Sequence, residues 1–524
     1  MKREELISLI DKVTSGKGIL RTTGYWVRRL FKEVLGYSDA KAEEVKAYTD
    51  DAVKNVKVEV DSEMSDSSEN AVSNKVIKAY VDGMASWIEE DTTSSYLTLQ
   101  NGHKYNVTTA TFGLTLSAKE ENADGKYLIE FTTGMPTFTP PSTYSGRPFS
   151  MTLPAGVKWA NGKEPLWELD AKYIVRIENR IATAHTDVMT LDEVKELDFE
   201  TPYLTFIAMR DGMTITRNYI AGDLEYSIDN GDWEVLKPDS TTPEINAGHH
   251  ISFRGSAYTG KVFNLRANKS SYVTGKCSSL FPSSGASGME LLFAFGHIRG
   301  VNRNIISDVG NPRTAYMFRG CVELVNGVDF PSVDLLWEGQ CRMMYSGCLS
   351  LIYAPTLPAT KIGTYCYSGM LAYCISLKTP PALPATTLAE GCYGYKDDSQ
   401  SAFENGFNQG MFEGSGIEVA PALPATTLAA KCYKGMYEGC KNIKQASYLP
   451  ASTLAAECYA GMYYGCSNLQ KIKMLATDIS ATDCLANWVS GVSSSGTFIK
   501  AAGVTIPTGT SGIPSGWTVE EVAV

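Results

Sequence analysis

The stretch LPATTLAAKCYKGMYEGCKNIKQASY, residues 423–448, is one copy of a unit that repeats along the C-terminal half of this 524-residue chain. Successive copies start 26, 40, 26 and 26 residues apart, at Leu357, Leu383, Leu423, Leu449 and, in degraded form, Leu475. The interval of 40 holds one unit and an insertion. A fixed apolar pattern at this period is typical of a solenoid, in which each unit stacks on its neighbours. Since solenoids commonly serve as binding surfaces, the repeat favours a binding protein over an enzyme.

Within the unit, apolar residues recur at every fourth position. This spacing predicts one face of a short helix, capped by Thr426 or Thr427 and limited to one or two turns by Gly435 and Gly439. The segment after Cys440 could pair as a strand with the next unit. We therefore expect an α/β solenoid with these core residues: Ile362, Cys366, Met370, Cys374, Leu428, Cys432, Met436, Cys440, Leu454, Cys458, Met462 and Cys466.

This frame resembles the BspA-type leucine-rich repeat, whose units carry a Phe/Met-x-x-Gly-Cys-x-x-Leu core. The matching stretches are Met436 to Cys440, Met462 to Cys466 with Leu469, and Met344 to Cys348 with Leu351. The resemblance implies a leucine-rich-repeat-like solenoid over residues 261–484, with 485–524 as its C-terminal cap. It also implies adhesion to surfaces through carbohydrate or protein binding.

The cysteines belong to the repeat. Ten of the twelve fall into two frames of the unit, one containing Cys432 and the other Cys440. Free cysteine behaves as a small core hydrophobe, so this placement favours buried thiols over disulfides. No CxxC pair exists and the five histidines are scattered, so we expect no metal site and no cofactor.

The N-terminal 90 residues are predicted to be helical. Residues 1–37 are predicted to form two basic helices that dock on a larger assembly, the alternative being a small helical cap. Residues 38–90 contain Ile77, Tyr80, Met84 and Trp87, a spacing that suits a coiled-coil stalk. Helices with so little apolar surface are stable only when they pack against copies of themselves. We therefore expect a homo-oligomer, with a trimer favoured.

Two segments of this region resemble fibre proteins of phages and prophages of gut Bacteroidales. SDSSENAVSNKVIKAYVDG, residues 65–83, is similar to a linker of such fibres, and TTGYWVRRLFKEVLGYSD, residues 22–39, is similar to their virion-attachment end. Between this region and the repeats, alternating strands and Gly/Pro turns predict two small β-modules. The first, residues 91–185, is expected to be all-β and the second, residues 186–260, sandwich-like, with a hairpin turn at Asn230-Gly231.

Several functional classes are disfavoured by the sequence. The formal net charge of −11 argues against nucleic acid as a partner. No apolar run is long enough for membrane insertion, and the charged start is not a secretory signal. Phosphate-binding and nucleophile-elbow motifs are missing, so we expect no catalytic residues and no enzyme.

The insertion at residues 394–409, GYKDDSQSAFENGFNQ, is the first candidate for ligand binding. Loops on solenoids often serve recognition, and aromatic, acidic and amide groups together suit sugars. The alternative is a neutral decoration or a contact between subunits. The candidate contacts are Tyr395, Asp397, Asp398, Phe403, Glu404, Asn405 and Phe407. A ladder of tyrosines beside the core frame, from Tyr367 to Tyr464, is a weaker candidate.

These observations lead to the hypothesis of a virion fibre protein that binds the host cell surface. The expected partners are other virion proteins, through residues 1–37, and a host surface polysaccharide or protein. The expected location is the virion, after synthesis in the host cytoplasm. The alternatives are a bacterial BspA-type surface adhesin and a glycan depolymerase spike. The paired carboxylates of such an enzyme would come from distant positions in the chain and could not be recognised from sequence.

Overall fold

The fold was obtained as a computed structural model. It describes residues 87–119, 125–139, 143–186, 188–195, 197, 199–218, 224–255, 262–280, 291–302, 314–330, 334–395 and 409–523. Strands make up 34% of the structure and helices 2%, so the fold is nearly all-β. Over the described residues, the predicted multidomain fold with an α-helical anchor, a coiled-coil stalk and an α/β solenoid is therefore wrong. Residues 1–86, which include the predicted anchor and most of the predicted stalk, lie outside the described residues.

The first module starts inside the predicted stalk. Residues 88–92 form a strand that pairs in parallel with residues 103–107. The end of the predicted stalk therefore belongs to a sheet. The strands of this module are β1 Ile88–Thr92, β2 Tyr96–Leu99, β3 His103–Val107, β4 Gly113–Ala118, β5 Tyr127–Thr132, β6 Thr137–Thr139, β7 Thr143–Ser145, β8 Ser150–Thr152, β9 Lys158–Trp159, β10 Lys172–Glu178 and β11 Ile181–Thr186. Alternate strands join two parallel sheets, in the orders β1-β3-β5 and β2-β4-β8, and a hairpin, β10-β11, extends the first sheet.

The second module is a mostly antiparallel sheet that runs directly into the repeats. A short helix, α1 Leu191–Lys195, precedes it. Its strands are β12 Leu204–Ala208, β13 Ile215–Asn218, β14 Leu224–Ile228, β15 Glu234–Leu236, β16 Ser240–Thr241, β17 His250–Gly255, β18 Val262–Thr274 and β19 Leu291–Val301, with a 3₁₀ turn at Cys277–Leu280. The predicted Asn230-Gly231 turn connects β14 to β15. Strand β18 pairs with β12, β13 and β19, so the expected boundary near residue 260 falls inside one sheet.

The repeats stack as rungs joined by backbone hydrogen bonds from every second residue. Tyr433 N donates to Cys458 O of the next rung at 3.0 Å, and Tyr437 N donates to Met462 O at 2.9 Å. The residues between them donate three positions back within the rung, as Met436 N does to Tyr433 O at 3.1 Å. An α-helix needs donation four positions back. The segment that was expected to be helical is therefore a run of linked turns.

Left-handed residues explain the four-residue spacing. Lys431, Gly435 and Gly439 have φ of 56°, 62° and 71°, and a positive φ excludes a right-handed helix. Each turn contains one such residue, so two inward side chains alternate with two outward ones. Cys432 and Tyr433 are buried in this way. A helix and this run of turns place apolar residues at nearly the same spacing, which is why the sequence pattern suggested a helix.

The twelve expected core residues point inward although the rungs are not helical. Eleven are at most 4% exposed, and Leu428 is half-buried against the same core. This core is continuous from Leu204 to Trp517, so the second module, the rungs and the last strands form one hydrophobic unit. Short parallel strands mark the rungs: β20 Lys361–Ile362, β21 Thr387–Leu388, β22 Gln445–Leu449, β23 Lys471–Met474, β24 Thr497–Ala501 and β25 Thr518–Val522.

All twelve cysteines are free and buried. The thiol of Cys440 donates to Phe412 O at 2.9 Å, and that of Cys466 donates to Tyr437 O at 3.0 Å. Burial raises the pKa of Cys440 to about 12. These thiols are therefore neutral core groups that also satisfy a carbonyl of the neighbouring rung.

Candidate ligand-binding cleft

The insertion is described only at its two ends. Tyr395 packs against the next rung, with Lys434 Nζ 5.2 Å from its ring centroid. Met411 N donates to Tyr393 O at 2.9 Å, so the chain leaves the rung and returns to it at neighbouring points. The other candidate contacts lie outside the described residues: Asp397, Asp398, Phe403, Glu404, Asn405 and Phe407.

The tyrosine ladder is part of the core. The rings of Tyr393 and Tyr433 stack at 5.6 Å between centroids, and those of Tyr437 and Tyr463 at 5.4 Å. These four side chains are at most 1% exposed. Of the ladder residues, Tyr464 alone is exposed, at 47%. The ladder therefore stabilises the stacking of rungs and offers a ligand little surface.

A cleft of about 290 Å³ lies where the first module packs on the side of the rungs. The loop after β7 and the loop before β10 form one wall, and β19 and the first rungs form the other. An apolar cluster including Leu169, Val322 and Leu349 joins the two parts beside it. The cleft is lined by Pro148, Phe149, Glu164, Pro165, Leu166, Trp167, Arg299, Val325, Ser350, Ile352 and Ser376.

The aromatic wall of the cleft is fixed by packing and hydrogen bonds. Trp167 contacts Phe149 and Tyr173 edge-on, each at 4.9 Å between ring centroids. Its indole Nε1 donates to Glu164 Oε1 at 2.6 Å, and the same oxygen accepts from Met151 N at 2.9 Å. Leu166 next to it is 47% exposed. The wall thus combines a rigid apolar surface with an oriented carboxylate.

The opposite wall contains a buried cation. Arg299, on β19, is 1% exposed and forms an ion pair with Glu168 of the first module. Burial lowers the pKa of Arg299 to about 10, and the nearby charge of Glu323 opposes that shift, so the guanidinium is charged at neutral pH. Its Nη1, like Ser350 Oγ, is buried without a hydrogen-bond partner in the described part of the chain.

Glu413 and Glu438 form a second polar group, on neighbouring rungs. Tyr373 donates its hydroxyl to Glu413. Burial and the charge of Glu438 raise the pKa of Glu413 to about 7, and burial also raises the pKa of Glu438. Two adjacent carboxyls that resist ionisation make this part of the solenoid sensitive to pH.

Sequence reasoning missed the cleft because its residues come from distant parts of the chain. Trp167 and Arg299 belong to no periodic pattern, and the repeat frame highlights only inward side chains. The sequence did hold one signal: the segment Glu164-Pro165-Leu166-Trp167 places two large apolar residues close to a carboxylate in a loop.

Where the structure describes the chain, no three His, Cys, Asp or Glu side chains are grouped to hold a metal ion. Over the same ranges, no helix combines the length and apolar character needed to cross a bilayer.

In comparisons with known proteins, no family model, no curated protein and no solved structure matches this chain. These comparisons therefore identify neither a phage fibre nor BspA-type repeats.

Proposed function

We propose that this chain is a structural virion fibre protein that binds the host cell surface. The observation that carries the proposal is the continuous core from Leu204 to Trp517, which gives a solenoid whose rungs are locked together by hydrogen bonds and stacked rings. Such an array holds surface loops and a lateral cleft in fixed positions, as recognition of an external ligand requires. The ligand would be a surface polysaccharide or protein.

The virion assignment rests on the resemblance of residues 22–39 and 65–83 to phage and prophage fibres of gut Bacteroidales. In such a particle several copies would act together, and weak single sites would then hold the particle through avidity. We therefore propose a homo-oligomer whose N-terminal region contacts other virion proteins. A cell-surface adhesin would share the binding role and differ in location.

Cell binding and gene context test this proposal together. Fluorescent full-length protein is incubated with Bacteroidales strains with and without capsule, beside a chain of the same length whose repeats are scrambled. We expect saturable binding to some strains by the intact chain alone, and capsid and tail genes next to its gene. Binding to no strain contradicts the host-surface role, and neighbouring export genes contradict the virion role.

A further inference from the structure

We propose that the cleft between the first module and the rungs binds one neutral sugar ring, a chain end or branch of the surface glycan. The inference deepens the proposed function and rests on it. The size of the cleft sets the ligand class. Its volume of about 290 Å³ corresponds to roughly ten water molecules at ~30 Å³ each. A single pyranose ring fits such a volume, and an oligosaccharide would have to extend outside.

The buried polar atoms point to a ligand with hydroxyl groups. Arg299 is 1% exposed and Ser350 is 8% exposed, and both line the cleft. Arg299 Nη1 and Ser350 Oγ are without a hydrogen-bond partner among the described residues. A buried polar group without a partner is costly, so a hydroxyl that accepts from Arg299 and bonds to Ser350 would remove two penalties at once.

The charges around the cleft favour a neutral ligand. Arg299 is already balanced by the buried carboxylate of Glu168, and the charge of Glu323 lies close by. Glu164 adds a carboxylate to the lining itself. A ligand carboxylate would meet this surplus of negative charge. A sugar hydroxyl, in contrast, can donate to Glu164 and accept from Arg299.

The apolar wall supplies the remaining part of sugar recognition. Pro148, Phe149, Pro165, Leu166 and Trp167 give the first-module wall of the cleft most of its nonpolar lining. The C–H face of a pyranose packs on such surfaces while its hydroxyls reach polar groups. Because Glu164 accepts from the indole of Trp167, a ligand at the carboxylate also perturbs the indole.

The Trp167 indole signal gives a direct readout of the cleft. ¹⁵N-labelled full-length protein is titrated with methyl glycosides of glucose, galactose, mannose and N-acetylglucosamine, and with methyl glucuronide as the anionic match to glucose. The signal is assigned by its loss in Trp167→Phe. We expect at least one neutral glycoside to shift it, and glucuronide to bind several-fold more weakly than glucoside. No shift with any neutral glycoside, or tighter binding of glucuronide, would overturn the proposal.

Two substitutions separate the cleft from the rest of the surface. Ser350→Ala should weaken glycoside binding roughly fivefold, the loss of one hydrogen bond, and Leu166→Arg should abolish it by filling an exposed edge of the cleft. Ser467→Ala, at an exposed position on a distant rung, should leave it unchanged. Equal binding by wild type and Ser350→Ala would overturn the assignment.

The same variants distinguish this inference from the proposed function. If Leu166→Arg loses both glycoside and cell binding, the cleft is the receptor site. Cell binding by wild-type protein that binds no glycoside overturns the cleft inference and leaves the fibre function. Glycoside binding without binding to any strain overturns the host-surface function and leaves the cleft as a sugar site.

Discussion

Single residues with positive φ determine the path of each rung. Gly439 has a φ of 71°, and a Cβ added there would come no closer than 3.8 Å to Gly414. Gly439→Ala therefore adds no collision, and its cost is conformational. We expect it to lower the free energy of unfolding by about 1 to 2 kcal/mol, measured by denaturant unfolding.

A second left-handed position, on another rung, provides the control for this prediction. Asp483 is exposed, belongs to the same kind of turn and has a φ of 51° with a side chain already present. Asp483→Ala should change stability by less than about 0.5 kcal/mol. If both variants unfold alike, the left-handed residues do not determine the turns.

Glu413 makes stability depend on pH. Burial, then the charge of Glu438, raise its folded-state pKa to about 7, above the ~4.3 of an unfolded glutamate. Between these values the folded state binds more protons, so this contribution falls as pH rises from about 4.5 to about 7. Glu413→Gln keeps an acceptor for the Tyr373 hydroxyl and removes the titration.

Melting temperatures from about pH 5 to about pH 8 check this direction. The Gln variant should gain stability relative to wild type as the pH rises through that window. Glu520→Gln, at an exposed position, should follow wild type at every pH. A constant difference between wild type and Glu413→Gln would show that Glu413 ionises normally.

At the residue scale, sequence predicted burial better than conformation. The spacing of Cys432, Met436 and Cys440 identified inward side chains correctly, because a helix and a run of linked turns share that spacing. The turns depend on φ, and Lys431 is left-handed without being glycine. Nothing in the local sequence marks such a residue, since hydrogen bonds to the next rung hold it in place.

At the scale of elements, the insertion should be separable from the solenoid. The hydrogen bond from Met411 N to Tyr393 O bridges its ends. Gln409 is held by Ser346 and Ser368, so both sides of the insertion are anchored. Deleting residues 396–408 should therefore leave the melting temperature nearly unchanged while reducing binding to host cells.

Cell binding by the deleted chain is the deciding measurement, with a Gly/Ser segment of equal length in place of residues 396–408 as the control. Loss of cell binding in both chains assigns recognition to the insertion's side chains. Unchanged cell binding would make the insertion a decoration, and a large drop in melting temperature would show that it supports the rungs.

The sequence predicted individual strands better than it predicted which strands pair, for a physical reason. Strands with alternating burial, such as Tyr96–Leu99 with Leu97 and Leu99 buried, follow from local pattern. Parallel pairing of strands far apart in the chain, such as β18 with β19, depends on contacts that no local pattern records. The second module was therefore expected to end near residue 260, although its sheet continues to Val301.

At the scale of the whole molecule, a buried ion pair fastens the first module to the solenoid. Glu168→Gln would leave Arg299 buried with a weaker partner, although the charge of Glu323 remains nearby. Breaking a buried pair on one side costs on the order of 3 kcal/mol. We expect a matching loss of stability, together with faster proteolytic release of the first module.

The surface ion pair of Lys195 with Asp192 is the matched comparison, because its side chains are 60% and 93% exposed. Asp192→Asn should change stability by less than about 1 kcal/mol and leave the proteolytic pattern unchanged. Since Arg299 lines the sugar cleft, Glu168→Gln should also weaken glycoside binding if the docked arrangement shapes that site. Equal melting of the two variants would mean that the first module docks through the apolar cluster around Leu169 and Leu349 instead.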